Sequence, residues 1–370
     1  MPQIEFAARQ PLRLGDVDEP IWGSPVGDQT PLLLRKLTME QCRILAAQSA
    51  TLANQLESHR DRLACRLRAG HPLLVALTNQ ARHERNEHIA RTQESFLHLA
   101  EIYAQQPIVT ESRNVLAAAK QSIARFRESQ IEIPGDEAEI DRQDLNVEQQ
   151  EAELIFNQKR LQTALAFLLQ LDPNDERPIW TQLDSPSRDT LPDLDEAVAT
   201  ALVNRGDLMA LETLASANQE TSADFSNSPI AAANPLLVAG PSLPGPAKWW
   251  QCALKDEIEC LKQTESVERR RQLAALAAEK RRAIEVEVRD VYYSLVRHHD
   301  LSELKYQELE SLNDSIEAAE KAKDERPIDF ASHQERRLRL LKLTSEFLHE
   351  RFSIEQDYVR LAKAIGGLTE

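Results

Sequence analysis

The fold is decided by residues 247–326, which read AKWWQCALKDEIECLKQTESVERRRQLAALAAEKRRAIEVEVRDVYYSLVRHHDLSELKYQELESLNDSIEAAEKAKDER. These 80 residues (326 − 247 + 1) contain no Gly and no Pro, and they are rich in Ala, Leu, Glu, Arg and Lys. At about 1.5 Å per residue an unbroken helix of this length reaches ~120 Å, whereas a typical globular helix has about 11 to 12 residues. The stretch therefore predicts a rod that spans a distance or lines a surface.

The composition of the whole chain favours the same class of structure. Of its 370 residues, 42 % are hydrophobic, 28 % are charged and only 5 % are aromatic, and there are only 10 Gly. This mixture is typical of all-α or coiled-coil architecture. The net charge of −16, from 60 acidic and 44 basic residues, argues against a nucleic-acid partner. We interpret the short basic runs at 269–271 and 280–282 as solvated helix faces, because Glu residues flank them.

Cysteines and apolar runs give no sign of a metal site or a membrane helix. The four Cys show no CxxC spacing, so we predict that they are buried small apolar residues: Cys42, Cys65, Cys252 and Cys260. No segment has the 18 or more apolar residues of a membrane helix. The N-terminus as given lacks the basic start and apolar core of a signal peptide.

Pro and Gly divide the chain into an arm and a series of helices. Residues 1–36 are predicted to be a Pro/Gly-rich extended arm. The predicted helices cover residues 37–68, with Thr38 as the cap, then 73–106, 108–128, 136–171, 194–217, the rod, and a last helix that ends at Gly366-Gly367. A polar linker at 173–193 and a Pro-rich loop at 218–246 separate them.

The last helix shows how these helices pack. Its apolar residues recur at steps of three and four, which is the seam of a helix packed lengthwise on others: Leu340, Leu343, Phe347, Ile354, Tyr358, Leu361 and Ile365. A second stripe lies beside the first: Leu338, Leu341, Leu348, Phe352 and Val359. We therefore predict that this helix is buried on more than one side.

The two halves of the chain resemble each other. Residues 40–57 align with 196–212 at an offset of 155 to 156, and Pro134 matches Pro327 at an offset of 193. The difference of about 37 residues is mostly the Pro-rich loop. We predict a first helical repeat at 37–172 and a second at 194–370.

Three segments resemble the TolC family of outer-membrane efflux factors. Residues 37–46 (LTMEQCRILA) are similar to the opening of the family's first repeat. Residues 195–208 (DEAVATALVNRGDL) are similar to its second opening, E-A-x-x-x-A-L-x-x-R-P-D-L, and residues 358–366 (YVRLAKAIG) to its ending. We read the motif positions as structural rather than catalytic, with Asp207 as an N-cap and Tyr358 in the core: Asn204, Arg205, Asp207, Leu208, Tyr358 and Gly366.

The resemblance implies a homotrimeric helical conduit of the cell envelope that works with a periplasmic adaptor and an inner-membrane pump. The family also inserts a pair of membrane β-strands into each repeat. Here only four residues join Arg68 to Leu73, too few for strands of about 9 to 11 residues each. Gly206 also replaces the family's usual Pro. The expected fold is therefore all-α, with long antiparallel helices, coiled-coil hairpins and little or no β structure, in a relative without the barrel.

Candidate chemistry is sparse. His83 and His88 lie five residues apart, so they lack the i, i+4 spacing of a helical metal pair, and we interpret them as part of a solvated face. His298-His299-Asp300 has no accompanying nucleophile. We expect no enzyme activity, no cofactor and no metal.

The leading hypothesis is an efflux-associated or export-associated conduit of the bacterial cell envelope. The alternative is a coiled-coil scaffold or adaptor protein with no transport role. A signal peptide upstream of Met1 would favour the first, and initiation at Met1 would favour the second.

Overall fold

The computed structural model describes residues 35–128, 137–171, 177–182, 191–217, 255–321 and 330–369. This part of the chain contains eight helices and two short strands. In chain order they are β1 (Arg35–Thr38), α1 (Met39–Ser49), α2 (Thr51–Ala64), α3 (Pro72–Glu128), α4 (Glu137–Leu168), β2 (Ile179–Gln182), α5 (Leu194–Asn204), α6 (Gly206–Ser216), α7 (Lys255–Lys321) and α8 (Phe330–Ile365). The prediction of an all-α fold with little β structure is confirmed. None of these helices combines the length with the apolar run that a bilayer crossing requires.

The helices follow one order twice. Two short helices precede two long ones in α1 to α4, and the same order recurs in α5 to α8. The short pairs are interrupted at Ala50 and at Arg205, which are 155 residues apart (205 − 50). This order supports the duplication, whose boundaries stay a prediction.

The described residues form two compact units that cut across the predicted repeats. Unit I draws its residues from 1–42, 94–187 and 297–356, and unit II from 43–93, 188–296 and 357–370. Each unit therefore takes segments from both halves of the sequence.

Antiparallel helix pairs build unit I. Polar contacts join residues 103–120 of α3 to α4: Tyr103 with Gln162, Gln106 with Gln158, Arg113 with Glu151, and Lys120 with Asp144. Because the α4 residue number falls as the α3 number rises, the two helices run in opposite directions. Helix α8 pairs with α7 in the same way, through Glu350 with His298, Glu346 with Lys305, and Arg339 with Glu308. It also contacts α3, where Glu101 Oε1 lies 2.7 Å from His349 Nδ1.

A small parallel sheet completes unit I. Strand β1 pairs with β2 in the register Arg35 to Ile179 through Thr38 to Gln182. Tyr103 fixes β2 against α3, because its ring lies 4.3 Å from that of Trp180 and its hydroxyl donates to the Ile179 carbonyl at 2.7 Å. Burial raises the pKa of this hydroxyl. Strand β1 covers the end of the predicted arm and the first two residues of the predicted first helix, and β2 lies in the predicted linker.

Unit II contains a core of small and aliphatic side chains. Residues from α2, the start of α3 and α6 meet in it: Ala50, Ala53, Leu56, Leu73, Ala76, Leu77, Ala81, Ala210 and Leu214. Ala has no side chain beyond Cβ, so helices that meet through Ala approach closely. Helices α2 and α3 are joined by a short turn at 65–71, all of it described, with no strand. The corresponding 218–246 loop lies outside the described residues.

Two predicted helix boundaries are wrong. Pro107 lies inside α3, which runs unbroken from Pro72 to Glu128. A proline cannot donate to the carbonyl four residues earlier and usually breaks a helix. Contacts to α4 on both sides, from Gln106 at 2.8 Å and Arg113 at 2.6 Å, stabilise α3 across this defect. Helix α7 continues through residues 298–302 without interruption, from Lys255 to Lys321. Residues 247–254 and 322–326 lie outside the described part.

Two other predicted helices are each divided in two. The 37–68 segment breaks at Ala50 and the 194–217 segment at Arg205, although neither contains Pro. Both breaks lie beside a neighbouring helix: Ala50 belongs to a buried core with residues of α3, and Gly206, next to Arg205, lies against Asn79 of α3.

The predicted cap at Thr38 and the predicted stop at Gly366-Gly367 are confirmed. Thr38 Oγ1 accepts from Gln41 N at 3.2 Å while Gln41 Oε1 accepts from Thr38 N at 3.0 Å, which forms a capping box. Gly366 has a positive φ of 83°, and Gly367 N donates to Ala362 O at 2.9 Å, which forms a Schellman motif. Helix α8 is buried on more than one side, as expected: residues of both predicted stripes are buried, among them Leu341, Leu343, Leu348, Phe352, Ile354, Tyr358, Val359 and Leu361.

Candidate functional site

The most concentrated group of buried charges lies in unit II, at the break between α5 and α6. Arg205 has an extended backbone there, with φ −65° and ψ 111°. Its N–H still donates to Ala201 O, and its carbonyl accepts from Met209 N, so it closes one helix and opens the next. We call the group formed by Arg205, Asp207, Glu287, Lys280 and His83 the Arg205 junction.

The Arg205 side chain is only 3 % exposed and contacts three helices. Its guanidinium donates to both oxygens of Asp207, at 2.9 Å and 2.8 Å, in the bidentate geometry that arginine and carboxylate favour. It also donates to Glu287 of α7 at 3.0 Å and to the Ala364 carbonyl of α8 at 3.3 Å. A cation at that carbonyl lies at the negative end of the α8 dipole. Burial acts to lower the pKa of Arg205, but Asp207 and Glu287 hold it above its ordinary value.

Asp207 is the acidic centre of the junction. Besides Arg205, it contacts Lys280 Nζ at 2.8 Å, and its Oδ2 lies 3.9 Å from His83 Nε2. Its Oδ1 accepts from Leu208 N at 3.0 Å. It is the second residue of α6, and Arg205 occupies the N-cap position. The expected N-cap role is therefore wrong, because the carboxylate of Asp207 is used mainly by the cations around it.

The charges around Asp207 predict an acid-dependent loss of stability. Burial alone would raise the pKa of Asp207, but the Arg205 hydrogen bonds and the charges of His83, Arg205 and Lys280 outweigh it and hold the pKa well below the usual range. A carboxyl with a depressed folded-state pKa stabilises the fold above its unfolded value of about 3.9, and this contribution is lost as pH falls through the folded value. Urea titrations from pH 7 to pH 2.5 should show the stability difference between wild type and Asp207→Asn constant above pH 5 and shrinking below about pH 4. A difference that stays constant down to pH 2.5 would contradict this assignment.

Gly206 brings α6 unusually close to α3. A Cβ built on Gly206 would lie 2.2 Å from the Asn79 carbonyl oxygen and 3.1 Å from the His83 nitrogen. Only glycine fits such a contact without movement of a helix. Pro, the usual family residue at this position, also carries a Cβ and would meet the same atoms.

The end of α8 is fixed beside the junction. A Cβ on Gly366 would lie 3.0 Å from the Asn204 carbonyl, so the Schellman turn lies against the last residue of α5. Asn86 of α3 holds the same turn: its Nδ2 donates to Lys363 O at 2.9 Å, and its Oδ1 accepts from Leu368 N at 3.0 Å. Asn86 is buried, and these two backbone groups satisfy both the donor and the acceptor of its side-chain amide.

The structure places four of the predicted motif residues together at this site: Asn204, Arg205, Asp207 and Gly366. Leu208 is fully buried beside them, and Tyr358 is a buried residue of α8 in the same unit. Lys280 and Glu287 were not predicted to belong to this site. The basic run at 280–282 was the available signal, but we interpreted it as solvated. Lys280 instead binds Asp207, and Arg281 Nε donates to Glu212 at 2.8 Å.

Other sequence interpretations also need correction. His83 and His88 are half-buried rather than solvated, and His88 Nε2 lies 3.0 Å from the Ser49 hydroxyl.

Cys42 is buried, which raises the pKa of its thiol to about 12, but Cys65 is exposed, since the end of α2 leaves it uncovered. Cys252 and the side chain of Cys260 lie outside the described part. Within the described ranges no group of three His, Cys, Asp or Glu side chains is arranged to hold a metal ion. The Arg205 junction joins helices through paired charges.

Comparison with known proteins gives results at the level of structure. No protein-family profile matches the sequence, and no curated protein matches it. Among solved structures, the CmeC outer membrane channel of Campylobacter jejuni matches 80 % of this chain and 66 % of its own, with a TM-score of 0.56 and 14 % identity. The outer membrane protein VceC of Vibrio cholerae matches 80 % of this chain and 75 % of its own, at TM-score 0.53 and 17 % identity. The MtrE channel of Neisseria gonorrhoeae matches 87 % and 72 %, at TM-score 0.54 and 13 % identity.

The chain has a TolC-like fold. The resemblance found in three short sequence segments is therefore confirmed at the level of architecture. At these identities the likeness establishes the fold alone. The TolC-like chain spans about two thirds of the CmeC channel.

Proposed function

We propose that this TolC-like chain is an export-associated helical conduit protein of the bacterial cell envelope. The observation that supports it best is the fold, which outer membrane channels of three bacteria share over 80 to 87 % of the chain. The long helices suit a conduit: α7 has 67 residues and would extend ~100 Å at 1.5 Å per residue. A catalytic role is not proposed, since the structural neighbours are channels.

The proposal includes the partners that the resemblance implies. These are two further copies of the chain in a homotrimer, a periplasmic adaptor and an inner-membrane pump. Most of the charged side chains named above form ion pairs with other residues of the same unit. This arrangement suits a rigid helix in the wall of a conduit rather than a flexible tether.

Fractionation of cells that express the chain with its own upstream sequence tests the proposal. We expect recovery with the cell envelope, and we expect deletion of the chain to raise retention of a fluorescent efflux dye. Matched cells that carry Arg281→Met, an exposed change, should behave as wild type. Recovery only in the cytoplasm, with unchanged dye retention in the deletion strain, would contradict the proposed function.

A coiled-coil scaffold without a transport role remains the second candidate. The short turn between α2 and α3 favours it, because that connection adds no further structure to the helical core. The cytoplasmic outcome of the same fractionation would support the scaffold.

A further inference from the structure

The turn between α2 and α3 is a positively charged part of unit II in an otherwise acidic protein. The whole chain has a net charge of −16, but residues 58–83 contain five Arg and a single carboxylate. That carboxylate, Asp61, is bound by the adjacent Arg60 at 2.6 Å. Three further arginines are exposed and form no ion pair among the described residues, and we call them the turn arginines: Arg62, Arg66 and Arg68.

Packing against the core of unit II holds the turn arginines at the surface. Leu63 and Leu67 follow Arg62 and Arg66 directly, and both leucines pack against that core. Residues four apart lie on the same face of a helical turn, so the two leucines face inward together and the two arginines lie together beside them. A Cβ built on Gly70 would meet nothing within 4 Å, so this turn faces open space.

The start of α3 adds to the positive charge of the turn. Helix α3 begins at Pro72, has 57 residues and carries no acidic residue in its first turn. A helix N-terminus has a partial positive charge, which Asp or Glu usually compensates. Here the cap is His71, whose Nδ1 accepts from Leu73 N at 3.2 Å. No carboxylate occurs in the 22 residues of 62–83 (83 − 62 + 1), so this part of the sequence supplies no counter-charge.

Helix α7 lies beside the turn and does not neutralise it. Leu273 of α7 packs against the same core as Leu63 and Leu67. Within five residues on either side of Leu273 the sequence has one carboxylate, Glu268, which lies 3.7 Å from Arg271. Two further Arg stand between Glu268 and Arg271 in the sequence. The turn therefore has an excess of positive charge that its described neighbours leave uncompensated.

The uncharged residues of the turn indicate which class of anion it fits. Residues 62–77, RLACRLRAGHPLLVAL, contain no Ser, Thr, Asn, Gln, Asp or Glu. Several of the apolar residues are exposed among the arginines: Ala64, Cys65, Ala69, Gly70 and Val75. Basic and apolar side chains without neutral polar ones are typical of segments that lie at a membrane surface. Sites for proteins or nucleic acids also use neutral hydrogen-bonding side chains.

We propose that the turn between α2 and α3 docks on the headgroup phosphates of an anionic lipid surface through the turn arginines. Guanidinium groups bind phosphate through paired, charge-assisted hydrogen bonds. The acidic remainder of the chain is repelled by such a surface, so the turn sets which end of unit II faces the lipid. This inference goes beyond the proposed function, since a scaffold without a transport role would make the same contact.

Vesicle flotation with the purified full chain tests this contact. The probe vesicles are phosphatidylcholine with about 30 % phosphatidylglycerol, and pure phosphatidylcholine vesicles are the neutral comparison. Wild type should float with the anionic vesicles only, and about 0.5 M NaCl should release it because salt screens exposed charges. A variant that combines Arg62→Gln, Arg66→Gln and Arg68→Gln should bind roughly 100-fold more weakly, since each basic residue near an anionic surface contributes about fivefold.

Two further variants serve as controls, and circular dichroism checks that all of them are folded. Combining Arg62→Lys, Arg66→Lys and Arg68→Lys keeps the charge, so binding should stay within about tenfold of wild type. A second control removes the same charge from three exposed positions elsewhere and should bind the vesicles as wild type does: Arg160→Gln, Arg289→Gln and Arg336→Gln.

Three results would overturn the proposal. These are equal binding of wild type to neutral and anionic vesicles, a triple Gln variant of the turn that binds as wild type does, and binding of duplex DNA, an acidic peptide or inorganic phosphate without binding of vesicles. The flotation uses purified protein and defined lipids, so its failure leaves the fractionation and dye-retention tests of the proposed function unaffected. Vesicle binding with unchanged dye retention in the deletion strain would support the lipid contact and count against transport.

Discussion

Replacing Arg205 with Met should lower the free energy of unfolding by about 3–5 kcal/mol, the range for removing one member of a buried ion pair. Arg205 is 3 % exposed and Asp207 10 %, so solvent does not replace the lost guanidinium. The variant leaves the carboxylates of Asp207 and Glu287 together and leaves the Ala364 carbonyl without its donor. Urea unfolding followed by circular dichroism at pH 7 measures the difference.

Arg281→Met is the matched control for this experiment. Arg281 also pairs with a carboxylate of α6, at 2.6 Å from Glu212, but its side chain is 58 % exposed. Exposed pairs contribute about 0–1 kcal/mol. If the two variants lose the same stability, burial does not determine the strength of the Arg205 junction.

Gly206→Ala should also destabilise the protein, by about 1–3 kcal/mol or more, because overpacking a close contact forces backbone shifts. The new Cβ would lie 2.2 Å from the Asn79 carbonyl oxygen, an atom of α3 that cannot rotate away. Helix propensity predicts the opposite sign, since Ala is favoured over Gly by about 1 kcal/mol in a helix interior. Thermal unfolding therefore distinguishes steric from intrinsic effects.

Gly367→Ala provides the comparison for this second prediction. Its Cβ would meet nothing closer than the Ala362 carbonyl at 3.8 Å, an ordinary contact distance. We expect a change within about 0.5 kcal/mol, because the added methyl group meets no crowded contact. A stabilised Gly206→Ala variant would show that α3 and α6 are not in close contact in solution.

Local signals in the sequence predicted the class of fold and several helix ends. Thr38 with Gln41 and Gly366 with Gly367 form caps from residues at most five positions apart, so the sequence pattern contains them completely. Pro107 was misleading because contacts to α4, distant in sequence, maintain a helix that local chemistry would break. The pairing of β1 with β2 was missed because four-residue strands carry too little pattern.

The candidate site was only half predictable for a similar reason. The resemblance identified Arg205 and Asp207, since both belong to one short motif. Lys280 and Glu287 come from another helix, and a charged run looks the same in sequence whether water or a carboxylate faces it. Gly206 appeared as a departure from the family pattern, and only the position of Asn79 explains it.

The interleaved make-up of the two units has a consequence for biosynthesis. Unit I requires residues up to 356, and unit II also requires residues from 357 onward, while their first segments begin before residue 94. Strand β1 cannot form its sheet until β2 has been synthesised, because Arg35 pairs with Ile179, 144 positions later (179 − 35). Contacts so distant in sequence form slowly, and synthesis proceeds at about 5–20 residues per second. The nascent chain therefore cannot complete either unit until residues up to at least 356 have left the ribosome, and before that only pairs close in sequence, such as α3 with α4, can form.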